Sequence, residues 1–180
     1  MAAYIKTYTG LHIDPTNPDP DLINIEDIAH SLSLQCRGNG QVTQYFSVAQ
    51  HCILCCEEAM ARGLSKREVL ACLIHDASEA YMSDVPRPFK QVLPDYNKYE
   101  EKLLDVIYTK YLGSPLTEEE AARIKEIDDD LLWFDLKYLL NEDTGIPEPK
   151  VSVEITYDFI PFEEVEKKYI ALYNKVGLNL

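Results

Sequence analysis

Residues 65–82 read SKREVLACLIHDASEAYM, and their pattern decides the fold. Ser65 followed three residues on by Glu68 is a helix-opening capping box. Val69, Leu70, Leu73, Ile74, Ala77 and Tyr81 then cover most of a helical circumference, which predicts a central buried helix running to the SDVPRP break at 83–88. At about 100° per residue, with His75 as zero, Glu79 lies at about 40° and Asp76 at about 100°. A histidine and two carboxylates thus share one side of an otherwise apolar helix. Burying such ions unpaired is strongly unfavourable, so something must neutralise them.

Capping-box patterns recur on either side. Ser47 with Gln50 opens a helix over SVAQHCILCCEEAMA that Gly63 ends, and Thr117 with Glu120 opens EEEAARIKEIDDDLLWFDLKYLL. Further helices are predicted over about 24–36, from Pro94 or Asp95 to about Leu112, and from about Pro161 to Val176. Residues 144–161 read as a loop with room for a short strand, and 1–23 as an ordered arm. About six helices with little strand predict an all-α bundle.

On the second helix His51 shares a face with Val48, Cys52, Cys55 and Ala59 and so points inward. On the long helix, Ala121, Ile124, Leu131, Leu132 and Leu139 lie within about 60° of Asp128, whereas Asp130 faces away as part of a solvated run. Asp135 shares the inner face but sits about 10 Å further along the axis, so it is the weaker candidate. His51, His75, Asp76 and Asp128 then meet from three helices. Their nitrogen and oxygen donors suit one divalent cation, Mn, Fe, Co, Zn or Mg; a buried polar network is the alternative. His51 with Cys52, Cys55 and Cys56 is a rival, local Cys/His reading.

The motifs SVAQHC (47–52), IHDASEAYMSDVPRPFK (74–90) and IKEID (124–128), together with TYTG, IEDIAHSLSLQCR and QYFSVAQH, resemble the HD-domain metal-dependent phosphohydrolases, in the branch of the bacterial 5'-deoxynucleotidase. The resemblance runs from about Tyr8 through Asp135. It implies an HD-domain helical bundle holding one divalent metal by His51, His75, Asp76 and Asp128, with Glu79 in catalysis, Asp84 on the nucleotide sugar, and Arg37, Lys90 and Lys125 on phosphate. Two positions depart from the pattern: Gly38 stands where relatives often carry an aromatic residue, and Ile127 where they usually carry Ala.

The activity so implied is hydrolysis of deoxynucleoside 5'-monophosphates to nucleoside and phosphate, with Glu79 orienting or deprotonating the attacking water. A dNTP triphosphohydrolase is the close variant. Alarmone hydrolysis fits less well, because HDASEA lacks the acidic pair that usually follows HD in those relatives. A metal-stabilised module without turnover is the reading from another class; it has no need of Glu79 or the lysines.

Composition bounds these readings. A chain of 180 residues, 46% hydrophobic and 27% charged, fits one globular domain over 1–180. A net charge of −14 with scattered Lys and Arg argues against a nucleic-acid polymer, and an anionic nucleotide would need a local cation. Five cysteines, an odd number, read as reduced core thiols. No apolar stretch approaches the roughly 18 residues of a membrane span, and no leader pattern opens the chain, which points to the cytoplasm. A homodimer is carried by analogy alone. His30 receives no role, and His12 is expected to be exposed in the arm.

Overall fold

The structure, a computed structural model, describes residues 4–177. The arm carries a small antiparallel hairpin, β1 (Ile5–Lys6) and β2 (His12–Ile13). Helices follow as α1 (Ile25–Leu34), α2 (Val48–Ala61), α3 (Lys66–Ile74), the single turns α4 (Glu79–Met82) and α5 (Arg87–Lys90), α6 (Pro94–Leu112), α7 (Glu118–Phe134) and α8 (Phe162–Val176). Six of them have nine or more residues, so the chain is an all-α bundle with a short N-terminal arm. No helix among the described residues is long and apolar enough to cross a membrane.

Ser47, Ser65 and Thr117 each accept the backbone N–H three residues on, while Gln50, Glu68 and Glu120 accept the cap's own N–H. These reciprocal bonds satisfy donors that a helix start leaves open, and they fix where α2, α3 and α7 begin. α2 packs against α1, α3, α7 and α8, and α3 against α2, α6, α7 and α8. Val69 to Ile74 are all buried, and Tyr169 of α8 donates its hydroxyl to the Leu73 carbonyl at 2.6 Å inside this core.

The arm is tied to α1 by Asp27, which accepts Thr9 N–H at 2.7 Å and the Thr9 hydroxyl at 2.9 Å. Residues 144–161 form no strand among the described residues. They are held by Glu58, which accepts Ser152 and Val153 N–H groups at 2.7 and 3.0 Å.

Three local expectations are corrected. The helix from Ser65 does not run unbroken to 82: after Ile74 the chain tightens, with Ala77 N–H bonding Ile74 O and Glu79 N–H bonding Asp76 O, three residues apart. Ala121 is exposed, because the first turns of α7 overhang the bundle. Asp130 is not simply solvated; Arg62 donates to it at 2.7 Å.

Candidate functional site

The centre of the site is His51, which is fully buried on α2. Its Nδ1 lies 3.1 Å from Asp135 Oδ2 and its Nε2 lies 3.0 Å from Asp128 Oδ1. Asp128 lies on α7 and Asp135, seven residues on, caps its C-terminus where the wider turn Asp135–Leu139 begins, and the imidazole bridges them. Asp135 is itself held: Arg37 donates to Oδ2 from Nε and Nη2 at 3.3 Å, and Tyr157 donates to Oδ1 at 3.0 Å. Burial would raise the Asp135 pKa, but His51, Arg37 and Tyr157 more than offset it and keep the carboxylate ionised.

His75 stands at the end of α3. Its Nδ1 donates to the Cys72 carbonyl at 2.8 Å, which places the lone pair of the neutral ring on Nε2. That Nε2 is buried without a hydrogen-bond partner, 3.4 Å from Asp76 Oδ2 and 3.7 Å from Asp128 Oδ1. With Nδ1 of His51 donating to Asp135, both rings turn Nε2 toward Asp128. An outward Nδ1–H anchored on a carbonyl or carboxylate is the usual support of a metal-binding histidine.

Electrostatics point the same way. Burial, the largest influence on each ring, favours neutral imidazole, and Arg37 adds to this at His51; yet Cys55, Asp128 and Asp135 at His51, and Asp76, Cys52, Cys55 and Asp128 at His75, lift both pKa values well above the ordinary range. Burial opposes ionisation of Asp128 too, but the two histidines hold it far below the usual carboxylate range. Such a cluster attracts positive charge, and imidazole nitrogen with carboxylate oxygen is a donor set for a divalent cation.

The tightened turn after Ile74 sets the third part. Where the chain winds three residues per turn, side chains at i and i+3 eclipse, so Asp76 and Glu79 line the same edge. Glu79 is buried, its Oε2 has no partner, and Lys90 donates to its Oε1 at 3.5 Å. Burial first, then the neighbouring Asp76 and Asp84, raises the Glu79 pKa well above the ordinary value. Gln35, a residue the sequence reading left out, fixes this turn from outside: its amide N–H₂ donates to the Glu79 carbonyl at 2.9 Å and its oxygen accepts Asp84 N–H at 3.2 Å.

These groups open onto a cavity of about 630 Å³, within the range of small-molecule sites. Its wall carries five carboxyl groups (Asp76, Glu79, Asp84, Asp128, Asp135) against three cations (Arg37, Arg87, Lys90), so acidic groups outnumber basic ones there. Val42, Leu132, Leu139 and Leu140 form an apolar side. Grooves of similar volume lie along α6 and beside Phe134, but neither is lined by Asp76, Asp128 or Asp135, the carboxylates that meet the two buried imidazoles.

The sequence candidates divide accordingly. His51, His75, Asp76 and Asp128 converge, and Glu79, Asp84, Arg37 and Lys90 line the same cavity. Arg37 is committed to Asp76 at 3.5 Å and Asp135 at 3.3 Å. Lys125 is the exception: it is exposed, donates to Asp129 at 2.7 Å and does not line the cavity, because its azimuth on α7 carries it outward. Arg87 takes the place at the rim, 3.7 Å from Asp128 Oδ2. Asp84 caps no helix with its side chain. His30 lies elsewhere, 3.0 Å from Glu166 and stacked on Tyr8, and His12 is exposed. Gly38 sits at φ +58°, in the left-handed region that favours a glycine, and a Cβ there would make only ordinary contact with Val42.

The cysteines are free and, except for half-buried Cys36, buried in the core. Two are also nearer the histidines than a plain packing role requires. The donor atoms of His51, Cys55 and His75 lie within 4.8 Å of one another, as do those of Cys52, His75 and Asp76.

No family model matches the chain. It is similar to the uncharacterized protein YfdR of Escherichia coli, 42% identical over 109 residues that make up 61% of this chain and 58% of the relative. It is also similar to an uncharacterized protein of Rhodobacter capsulatus, 36% identical over 115 residues, with the same shares of each chain covered. The match thus spans 58% of the length of each relative, and neither name carries an activity.

Proposed function

We propose that this chain is a metal-dependent phosphohydrolase of the HD-domain type that hydrolyses deoxynucleoside 5'-monophosphates to nucleoside and phosphate. The observation that carries this reading is the pair of Nε2 atoms of His51 and His75, both turned toward Asp128 by anchored Nδ1–H groups, with Asp76 beside that of His75. The orphaned, buried Nε2 of His75 and the donor set fit a divalent cation held by these four residues. Bound there, the cation supplies a Lewis acid that acidifies water and polarises a phosphoryl oxygen.

The protein's own groups do the rest. Glu79, with an unpartnered Oε2 on a side chain that lines the cavity, takes a proton from the attacking water as the water oxygen bonds to phosphorus. The P–O5' bond breaks, and the 5' oxygen leaves with the proton that Glu79 accepted. Lys90, Arg37 and Arg87 neutralise the phosphate; Asp84 accepts from a sugar hydroxyl; the Val42 and Leu132 side takes the base. A raised Glu79 pKa suits a group that accepts a proton near neutrality.

Three cavity cations, each already paired with two carboxylates, favour a monophosphate over a triphosphate. The test is a screen of metal-supplemented protein against deoxy- and ribonucleoside mono-, di- and triphosphates with each released phosphorus species measured. Orthophosphate from monophosphates supports the reading; tripolyphosphate from dNTPs replaces it with the close variant. Turnover of neither substrate class leaves a non-catalytic module.

A further inference from the structure

His51 and Cys55 occupy positions i and i+4 on α2, so one helix face presents both side chains. Cys55 Sγ lies 3.4 Å from His51 Nε2, and both atoms lie within 4.8 Å of a donor nitrogen of His75. A tetrahedral cation with nitrogen at about 2.0–2.1 Å and sulfur at about 2.3 Å sets those corners about 3.5 Å apart. The observed spacing matches. Asp128 Oδ1 lies 3.0 Å from His51 Nε2 and 3.7 Å from His75 Nε2, on the carboxylate side of the two rings. The Nε2 of His75, whose side chain is 8% exposed, is the unpartnered buried atom aimed into this space.

The two sides of the cluster differ in chemistry. Asp76 and Asp128 line the cavity, whereas Cys55 is buried beneath it and is not part of its wall. Carboxylate oxygen suits hard ions, and thiolate sulfur selects thiophilic ones.

We infer that the centre has two donor faces sharing His51 and His75. The carboxylate face takes a hard divalent ion such as Mn²⁺ or Mg²⁺ in contact with the cavity. The sulfur floor at Cys55 draws a Zn²⁺- or Cd²⁺-class ion into a deeper shell of His51, His75 and Cys55. On binding, the thiol proton goes to solvent and Sγ donates as thiolate, with no electron transferred. An ion drawn down to Cys55 is withdrawn from the cavity where substrate binds, so thiophilic ions inhibit the protein. This inference rests on the proposed reading of His51 and His75 as cation ligands.

The test titrates whole protein with Cd²⁺ while recording the ultraviolet sulfur-to-metal charge-transfer band, and separately with Mn²⁺ by calorimetry, for the native chain and Cys55→Ser. The expected result is one thiolate's band per Cd²⁺ in the native chain. Cys55→Ser should lose the band and at least about tenfold in Cd²⁺ affinity, with Mn²⁺ affinity within about threefold. Retained Mn²⁺ binding shows that the variant is folded; should Cys55→Ser not fold, Cys55→Ala takes its place. Mn²⁺ binding to the native chain without a Cd²⁺ band, or a band undiminished in the variant, overturns the sulfur floor and leaves the metal-centre reading intact. Failure of both ions to bind the native chain sinks that reading and the inference with it.

Discussion

Asp135 holds the Nδ1 edge of His51 at 3.1 Å while Asp128 faces its Nε2 edge, so one imidazole is gripped by two carboxylates from the same helix. Asp135 therefore selects the tautomer that frees Nε2. Asp135→Asn keeps the shape but can present its amide N–H₂ to Nδ1, and metal affinity is expected to fall about 10- to 100-fold. Asp135→Ala should also lower stability by about 3–5 kcal/mol, since Arg37, His51 and Tyr157 all lose a buried partner. Calorimetric metal titration and denaturant unfolding measure the two effects. Unchanged metal affinity in Asp135→Asn would refute the orienting role.

Metal binding should strengthen as pH rises. In the metal-free protein, burial opposes but the flanking carboxylates prevail, and the pKa values of His51 and His75 are raised. A raised folded-state pKa gives stability that is full below the unfolded imidazole value of about 6.5 and is lost as pH climbs through the folded value. A cation competes with those protons and releases them. Mn²⁺ affinity measured at pH 6, 7 and 8 should increase by up to about tenfold per unit for each proton displaced, and proton uptake or pH-independence would contradict this.

The two candidate phosphate lysines should separate in kinetics. Lys90 lies on the cavity wall between Glu79 and Glu100, whereas Lys125 pairs outside it with Asp129. Lys90→Met is expected to raise KM for the nucleotide about tenfold or more, a loss in the range of one charge-assisted hydrogen bond. Lys125→Met should change kcat/KM by less than about twofold, as an exposed pair contributes little. Equal effects would place the phosphate elsewhere.

Ser65→Ala removes the acceptor for Glu68 N–H and the hydroxyl that donates to Glu68 Oε2 at 2.6 Å. About 1 kcal/mol of stability should go with it, or roughly 2–4 °C in Tm for a chain of this size, measured by calorimetry. A change below a few tenths of a kcal/mol would show that tertiary packing alone sets the start of α3.

Helix starts were legible because capping is local chemistry: Ser47, Ser65 and Thr117 announce themselves through Gln50, Glu68 and Glu120. Convergence of His51, His75, Asp76 and Asp128 was legible because each is polar on an apolar face. The tightening after Ile74 was not, since the apolar pattern continues through Ala77 and Tyr81 and Gln35 acts from another helix. Asp135 was underrated because axial distance ignores the reach of a ring that bonds through both nitrogens. Tyr157 sits in a segment without periodicity, and only its contact with Asp135 shows its place. Lys125 was overrated because a motif position says nothing of azimuth at the helix surface.

The decisive measurement is orthophosphate release from a deoxynucleoside 5'-monophosphate by the Mn²⁺-supplemented protein, beside Glu79→Gln under the same conditions. The native chain should turn over, and Glu79→Gln should bind Mn²⁺ with native affinity yet lose about 10²- to 10⁴-fold in kcat, the usual contribution of a positioned general base. Equal turnover by both proteins, or none by the native chain with Mn²⁺ bound, would contradict a hydrolase built around Glu79.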